Sequence, residues 1–462
     1  MSQTNSATTA YVFETVEGIT PATPAFKEIP VTSNSLIKNM ETAVSNAIND
    51  VGMDEDLIIT KKSVSGDLGY ELSYDAYKPI ISEVVLPSPV IAETGVTVTD
   101  TTTLTSVGLD AAVSVGARFY LSSTTTPALD GMYECSGNST TNVITITPAL
   151  PSASAETDLV LSSRSSVGVT GATATSSTVI TLTDIELLVP FGITFYLASA
   201  TEAGSDGYYI CSDDSTPGQI TIDPPLTDVA TVSETDITLT TTLVVRAANK
   251  TPKTATIRTK VEGEGDVPFY YYDTGCKFTG ASIDVPNDGI VTGTINVMGM
   301  TETASATPFV GESVTKAAQY SILSAASSIG TVVVSGIVVG TCSFTSLGLQ
   351  LSTKAQEKRS LSSDTSCGIV TMGIEATSSV EFYFRNLDLY NLFSNATNFA
   401  IAFNLIDTDG NAIGITLPYC KIESLEKPVT GKDAFLMETG SIRALKHPTE
   451  NTNVILSFVD KI

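Results

Sequence analysis

The sequence predicts a mainly β protein that carries two tandem small β modules, and three observations predict it. First, a chain of 462 residues is 42% hydrophobic and only 16% charged, which excludes disorder as its main state. Second, it is rich in Ser, Thr, Val and Ile, whose branched or short side chains suit pleated strands better than helices. Third, a stretch repeats itself without a gap at an offset of 76 residues. Gly116 to Leu150 reads GARFYLSSTTTPALDGMYECSGNSTTNVITITPAL, and Gly192 to Leu226 reads GITFYLASATEAGSDGYYICSDDSTPGQITIDPPL. Phe119 matches Phe195, Asp130 matches Asp206, Gly131 matches Gly207, Tyr133 matches Tyr209, and Cys135 matches Cys211. Each copy has an FYL strand, an Asp-Gly turn, a Y-x-C strand and an alternating I-T-I strand ended by Pro. Tyr133 and Cys135 are two apart, so they share one face of their strand, and that face is expected to be buried. The modules are placed at 93–165 and 166–245.

Charge separates this segment from its flanks. Residues 91–245 hold 17 acidic and 2 basic residues and no Lys, which reads as a solvated, self-repelling surface. The whole chain has 50 acidic and 24 basic residues, a net charge of −26. Such a balance excludes an electrostatic clamp on nucleic acid, which needs positive charge, but not a surface that nucleic acid must pass without sticking. One His in the chain leaves acid/base and metal chemistry without its commonest group. The N-terminal MSQTNSATTA lacks the layout of a secretory signal. No run reaches the length of a membrane span; Ile329 to Phe344 is too short and reads as one or two buried strands. The six cysteines (135, 211, 276, 342, 367, 420) form no CxxC pair and are expected as reduced thiols packed as small hydrophobes.

The flanks, about 1–90 and 246–462, read as two pieces of one interrupted domain. Residues 63–74 alternate as a strand and run into a short helix over Asp75 to Val85, weakened by Pro79. Glu375 to Phe384 is again a strand, followed by a helix over Asn386 to Ser394, which suggests two similar halves. Gly275 to Gly299 reads as a β meander with Asp-Gly at its turn, and Asn398 to Ile422 as a hairpin with Asp407 to Asn411 at its tip. Residues 35–49 have apolar spacing compatible with a helix.

The local motifs favour structure over chemistry. Asp407-Thr-Asp-Gly-Asn resembles the start of a calcium loop, yet Ala412 and Pro418 stand where Gly and Glu are needed, so a hairpin turn is expected. His447 has no acidic partner at a recognisable spacing. Gly263-Glu264-Gly265-Asp266 has no following helix to cradle a phosphate and reads as a polar arm or hairpin. Tyr270-Tyr271-Tyr272 lacks interleaved basic residues, so packing is favoured over base stacking. No catalytic, cofactor or metal residue is assigned.

Four stretches of the flanks together resemble the tail tube (major tail) proteins of long-tailed, siphovirus-like bacteriophages. They are Lys27 to Val85, Gly275 to Gly299 (with SIDVPNDGIVTGTINVMG), Cys367 to Asp407 and Leu417 to Leu445 (LPYCKIESLEKPVTGKDAFLMETGSIRAL), in the family's order. The resemblance implies a tail-tube β-sandwich or barrel with short flanking helices over 1–92 and 246–462. The inserted modules are then decoration on the outside of a tube. It implies a structural virion protein, not an enzyme, that stacks as rings into a hollow tube conducting DNA during ejection. Its partners would be further copies in rings of six, or of three with pseudo-sixfold symmetry. Tape measure, tail terminator and tail tip proteins would join them, with genomic DNA passing unbound and no membrane binding by this chain. It also implies assembly in the host cytoplasm and residence in the phage tail. Lumen candidates are Asp67, Glu71, Glu375 and Glu381, although alternation along a strand means that some of the four should point away. Ring-stacking candidates are Gly263, Glu264, Gly265, Asp266 and both termini. A capsid decoration or tail fibre protein and a cell-surface adhesin remain as alternatives.

Overall fold

The computed structural model describes all residues except 1–6, 46–55, 88–91, 114, 116–117, 124–125, 127–128, 130, 148, 153–155, 158, 163–164, 184, 200–202, 228–234, 249–251, 317–320, 325–328, 336–343, 362, 428–431, 433–434, 449 and 461–462. Cys342 and the outermost residues of both termini therefore lie outside the described residues.

The repeated segment forms two closed six-stranded barrels. The first uses the strands Ala92–Asp100, Thr103–Thr105, Arg118–Ser122, Gly131–Thr140, Val143–Thr147 and Leu159–Ser162. The second uses Val167–Ala174, Val179–Thr181, Thr194–Ala198, Gly207–Asp213, Gln219–Asp223 and Ile237–Thr241, in the same neighbour order. Tyr133 and Cys135 are buried, as are Tyr209 and Cys211. Each tyrosine hydroxyl donates to a carbonyl four residues back: Tyr133 to Leu129 (3.0 Å) and Tyr209 to Ser205 (2.7 Å). That bond lets a large side chain enter the core without orphaning its hydroxyl.

Within the flanks two units of seven strands each recur, beside six shorter described strands (Ala25–Ile29, Val31–Asn34, Leu243–Arg246, Ser313–Thr315, Ala355–Lys358 and Gly368–Thr371). The first unit runs β1 (Thr8–Phe13), β2 (Ile37–Val44), β3 (Leu57–Glu71) and helix α1 (Tyr74–Val84). After the barrels it continues as β4 (Ala255–Glu262), β5 (Pro268–Val285), β6 (Thr292–Gly299) and β7 (Thr301–Ser305). The second unit runs β8 (Ile329–Val334), β9 (Phe344–Ser352), β10 (Glu375–Tyr383), helix α2 (Asp388–Ser394), β11 (Phe399–Ile406), β12 (Ala412–Glu426), β13 (Met437–Ala444) and β14 (Ile455–Val459). Adding seven to a strand number converts one unit into the other. Six antiparallel pairings recur: β1 with β4 and β8 with β11; β2 with β3 and β9 with β10; β3 with β6 and β10 with β13. The others are β4 with β5 and β11 with β12, β5 with β6 and β12 with β13, and β5 with β7 and β12 with β14.

The irregularities recur too. A register shift follows the Ala255–Cys276 pair in one unit and the Phe399–Cys420 pair in the other. A second lies between Phe278 and Gly280, and between Ile422 and Ser424. Bulges reaim a strand and increase its twist, so shared bulges mean shared curvature. The units join where β9 pairs with the C-terminal half of β5. One large core lies behind this sheet, with Leu68, Phe278, Leu351, Ile415 and Phe458 among its buried residues.

The expected strand over 63–74 and the two helices are present, with Pro79 inside α1. Gly275 to Gly299 falls on the β5–β6 hairpin, and Asn398 to Ile422 on the β11–β12 hairpin. Of the expected buried stretch Ile329 to Phe344, Ile329–Val334 is a strand with only its last two residues buried, and 336–343 lie outside the described residues. The helix expected over 35–49 is corrected: Ile37–Val44 is β2, a strand bonded along β3, and 46–49 lie outside the described residues. Helical apolar spacing is a weak prior there, because a long partner strand supplies the backbone hydrogen bonds that a marginal helix would need. Cys135, Cys211, Cys276 and Cys420 are buried and Cys367 is exposed, and none of the five is in a disulfide.

Candidate assembly surfaces

Alternation along the sheet formed by β3, β6, β5, β9 and β10 separates two faces. One row of directly opposed residues runs Leu68, Ile295, Ala281, Leu351, Ala376, all buried in the core. The next row runs Asp67, Asn296, Gly280, Ser352, Glu375 on the opposite face. A further row on that face runs Glu71, Thr292, Asp284, Gly348, Ser379 and on to Ser441 of β13. Hydrogen bonds run along this polar face: Asn296 Nδ2 donates to Asp67 Oδ1 (2.7 Å), and the hydroxyls of Ser282 and Thr294 lie 3.0 Å apart. Asn, Gly, Ser and Thr make it low in relief.

The four acidic candidates Asp67, Glu71, Glu375 and Glu381 all belong to this one face, since Glu381 lies two residues beyond Ser379. The expectation that some must point away is therefore corrected. Parity within each strand and the register between strands align all four. Asp284, which sequence reasoning missed, joins them; its signal was the alternation of SIDV in the Gly275 to Gly299 stretch. The acids are not equivalent. Glu375 is bonded by Arg443, which also holds Glu423, and by Lys354 at 2.8 Å. Those cations hold the Glu375 carboxyl below its ordinary range. Glu381 accepts a bond from Thr345 Oγ1 (3.0 Å).

Two other surfaces flank this face. The β2–β3 hairpin projects with exposed apolar residues, among them Ile37, Met40, Leu57 and Ile58. An exposed hairpin of this kind is an interaction surface rather than a stable free edge. The β4–β5 tip, Gly263 to Asp266, is exposed from Glu264 onward. The matching tip of the second unit, Asp407 to Asn411, is closed by Asn411 N donating to Asp407 Oδ1 (2.7 Å). The second barrel touches it, its Tyr208 hydroxyl donating to the Gly410 carbonyl, while Thr408 and Asp409 stay exposed.

The second barrel docks on the second unit. Thr416 Oγ1 donates to the Gly192 carbonyl (2.5 Å), and Ile210 packs with Val333 and Ala402. Ile455 of β14 is part of the barrel's own core cluster. In the first unit the positions of Gly414 and Thr416 are occupied by Tyr270 and Tyr272. Those two rings are buried in a satellite cluster with Ala10 and Phe26, while Tyr271 points outward. The hydrogen bonds described for the first barrel close within it.

Between the second barrel and the second unit lies a cleft of about 780 Å³ lined by Asp213, Asp214, Asp223, His447 and Glu450, among others. His447 therefore lines the same cleft as these carboxylates. Its Nδ1 accepts the Glu450 backbone N–H (3.0 Å) and its ring stands edge-on to Tyr419. Burial raises the Asp214 and Asp223 carboxyls. Glu450 is paired with Arg246 (3.4 Å). Among the described residues no cluster of three or more His, Cys, Asp or Glu side chains could hold a metal ion. No described helix is long and apolar enough to cross a membrane.

The fold is thus a mainly β one, of paired units that share a continuous polar face. The comparison with protein families names it: the family model "Phage tail tube protein" matches residues 4–444, so the chain belongs to that family. It is a structural tail protein of the virion, in a family not known for enzymatic activity. No curated protein matches it in sequence.

Proposed function

We propose that the chain polymerises as stacked rings into the hollow tail tube of a siphovirus-like phage and that the polar sheet face lines the lumen through which DNA leaves. In this reading the tube core is 1–92 and 246–462, and the modules 93–165 and 166–245 decorate the outside. The observation that carries it is the polar face itself, five strands wide, acidic, low in relief and backed by one core. Acidic side chains repel phosphates, and without cationic clamps DNA does not form the counterion-releasing contacts that would hold it. Of the acids on this face, Asp67, Glu71, Asp284 and Glu381 supply that repulsion, while Glu375 also fixes Lys354 and Arg443 in place.

The doubled unit favours rings of three chains, in which six equivalent units complete a pseudo-sixfold wall. Stacking between rings uses the β2–β3 hairpin, the exposed tip Gly263–Asp266 and the termini. Tape measure, tail terminator and tail tip proteins meet the tube inside and at its ends, and assembly occurs in the host cytoplasm. Negative-stain electron microscopy over a concentration series tests this reading. Hollow tubes with a regular axial repeat are expected; closed rods without a channel at any concentration would overturn it.

A further inference from the structure

We propose that the ribbon formed by Ala355–Lys358 and Gly368–Thr371 is a brace that aims the β2–β3 hairpin, and that Glu17 and Lys277, which bond the ribbon rather than the hairpin, are its positioning residues. The purpose of the brace rests on the tube reading, in which the hairpin stacks rings, but the brace itself is argued from contacts within one chain. The two units diverge at this place. The matched pairs Asn39–Ser63 and Ser352–Glu375 set the correspondence. Two residues further out in the first unit, Glu41 still pairs with Lys61, and the hairpin runs on to Val44 and Leu57. At the equivalent positions of the second unit, Lys354 has φ +47 and Gly373 has φ +152. The chain between them turns aside and pairs with itself, from Ala355 with Thr371 to Lys358 with Gly368. A left-handed lysine is costly, so the bend is held by what the ribbon binds.

The hairpin needs a support. Beyond Ser63 it leaves the core, and no residue of Ile37–Val44 or of 57–62 is buried. Two strands without a packed face are marginal in water, so the hairpin's direction depends on what meets its root. The ribbon's turn meets it at Lys62. Lys62 N donates to the Asp364 carbonyl (2.7 Å), Lys62 bridges Thr365 in parallel, and its ammonium pairs with the Asp364 carboxylate. Lys61 lies 3.6 Å from Glu357 of the ribbon and 2.7 Å from Glu41 of β2. Ion pairs this exposed are weak, so they transmit a position rather than set one.

The position is set where the ribbon's bonds are buried. Ile369 is 2% exposed, and its carbonyl accepts from Lys277 Nζ. Lys277 of β5 is as deeply buried and pairs with Glu17 Oε1 (3.1 Å), which also accepts the Ile369 N–H (3.2 Å). Glu17 belongs to the turn after β1. Glu14 pins that turn by accepting from Gly18 N (2.7 Å), Thr256 Oγ1 (2.8 Å) and Gly275 N (2.9 Å). The base of the ribbon is tied to β5 as well, since Thr353 N and Oγ1 both donate to the Thr279 carbonyl (2.9 and 3.0 Å). A buried ammonium keeps its partners, because losing one leaves a charge with neither water nor counter-charge. The clasp on the first unit fixes the ribbon, and the ribbon fixes the hairpin.

Hydrogen exchange of the unassembled full-length chain tests the brace. In Glu17→Ala and in Lys277→Met, exchange at 37–44 and 57–62 should run about fivefold faster, with residues 376–382 of β10 unchanged. Glu17→Gln keeps an oxygen for the Ile369 N–H and should stay near the parent. Hairpin exchange that does not change overturns the brace. So does hairpin exchange that rises together with β10, because that reports general loosening. A second measurement leaves the clasp intact. In a Cys367→Ser background, Lys62→Cys and Thr365→Cys are bridged neighbours within disulfide reach, and oxidising the pair should slow hairpin exchange. A link that forms and leaves the exchange as fast as in the reduced form also overturns the brace. Tube formation is read separately. A loosened hairpin with tubes at the parent's concentration keeps the brace and overturns the hairpin's stacking role. A parent chain that forms no tubes sinks the tube reading, while the exchange data still decide the brace.

Discussion

The two seven-stranded units share order, pairing and bulges, yet they differ in what covers them. The first is closed: its β5 has partners on both edges, its helix is buried, and Tyr270 and Tyr272 roof over their own strand. The second is open: among the described residues its β12 has a strand partner on one edge only over 424–426, its helix has no buried residue, and Gly414 and Thr416 leave a shallow seat filled by a barrel. The lesson is that duplication supplies the shape, while side-chain size at a few equivalent positions decides which copy binds what. Core position, buried charge and barrel seat each offer a way to break or sharpen that contrast.

The largest effect is expected in the core. Phe278 and Ile422 are equivalent, but Phe278 is fully enclosed while Ile422, at 9% exposure, lies at the rim of the core. Phe278→Ala should cost about 3–5 kcal/mol in chemical denaturation of the unassembled chain, and Ile422→Ala about 2 kcal/mol, because a site at a rim collapses more readily than an enclosed one. Equal losses would mean that the two units are equally closed.

Asp273 and Leu417 form a second equivalent pair. Burial, with Glu302 adding to it, pushes the Asp273 carboxyl up to about 7. The native state then holds a proton that the unfolded chain releases near pH 4. This group's contribution is therefore most favourable below pH 4, declines as pH rises to 7 and is flat above. Asp273→Asn should raise stability at pH 8 by a few kcal/mol and flatten the decline between pH 4 and 7, read from urea midpoints across pH. An unchanged pH profile would contradict the account of a buried, protonated carboxyl.

The smallest effect concerns the barrel seat. Gly192 has φ +80, and a Cβ there would meet Thr416 Cγ2 at 2.2 Å. Gly192→Val should loosen the second barrel from β12 at a cost of about 1–3 kcal/mol, read as faster proteolysis between barrel and unit. The first barrel gives the contrast. In the 76-residue repeat, Arg118 and Glu134 stand where Thr194 and Ile210 stand in the docked copy, and each pair is directly opposed across its strands. Charges are expensive to bury against a sheet, so the copy without them is the better suited to dock.

Much of this was legible in the sequence. The barrels were, because their repeat keeps Phe, Asp-Gly, Tyr-x-Cys and I-x-I at fixed spacing without a gap. The paired units were visible only as a strand feeding a helix, twice. Their cores accept Phe278 for Ile422 and Leu68 for Val380, so packing preserved the shape while the letters diverged. One trace survives: Cys276-Lys277 and Cys420-Lys421 mark the same bulged turn of sheet. The acidic residues of the polar face were readable as types but not as a set, since a shared face depends on register between distant strands. β2 was misread because its partner, not its own spacing, makes it a strand. The barrel seat could not be read, because it depends on small residues becoming neighbours only in three dimensions.

Cryo-electron microscopy of assembled tubes tests the central claim most directly. Three chains per ring are expected, with the polar face of both units turned to the channel and a wall that repeats six times around the axis. A ring of six chains, or a channel lined by anything other than the Asp67–Glu375 face, would contradict it.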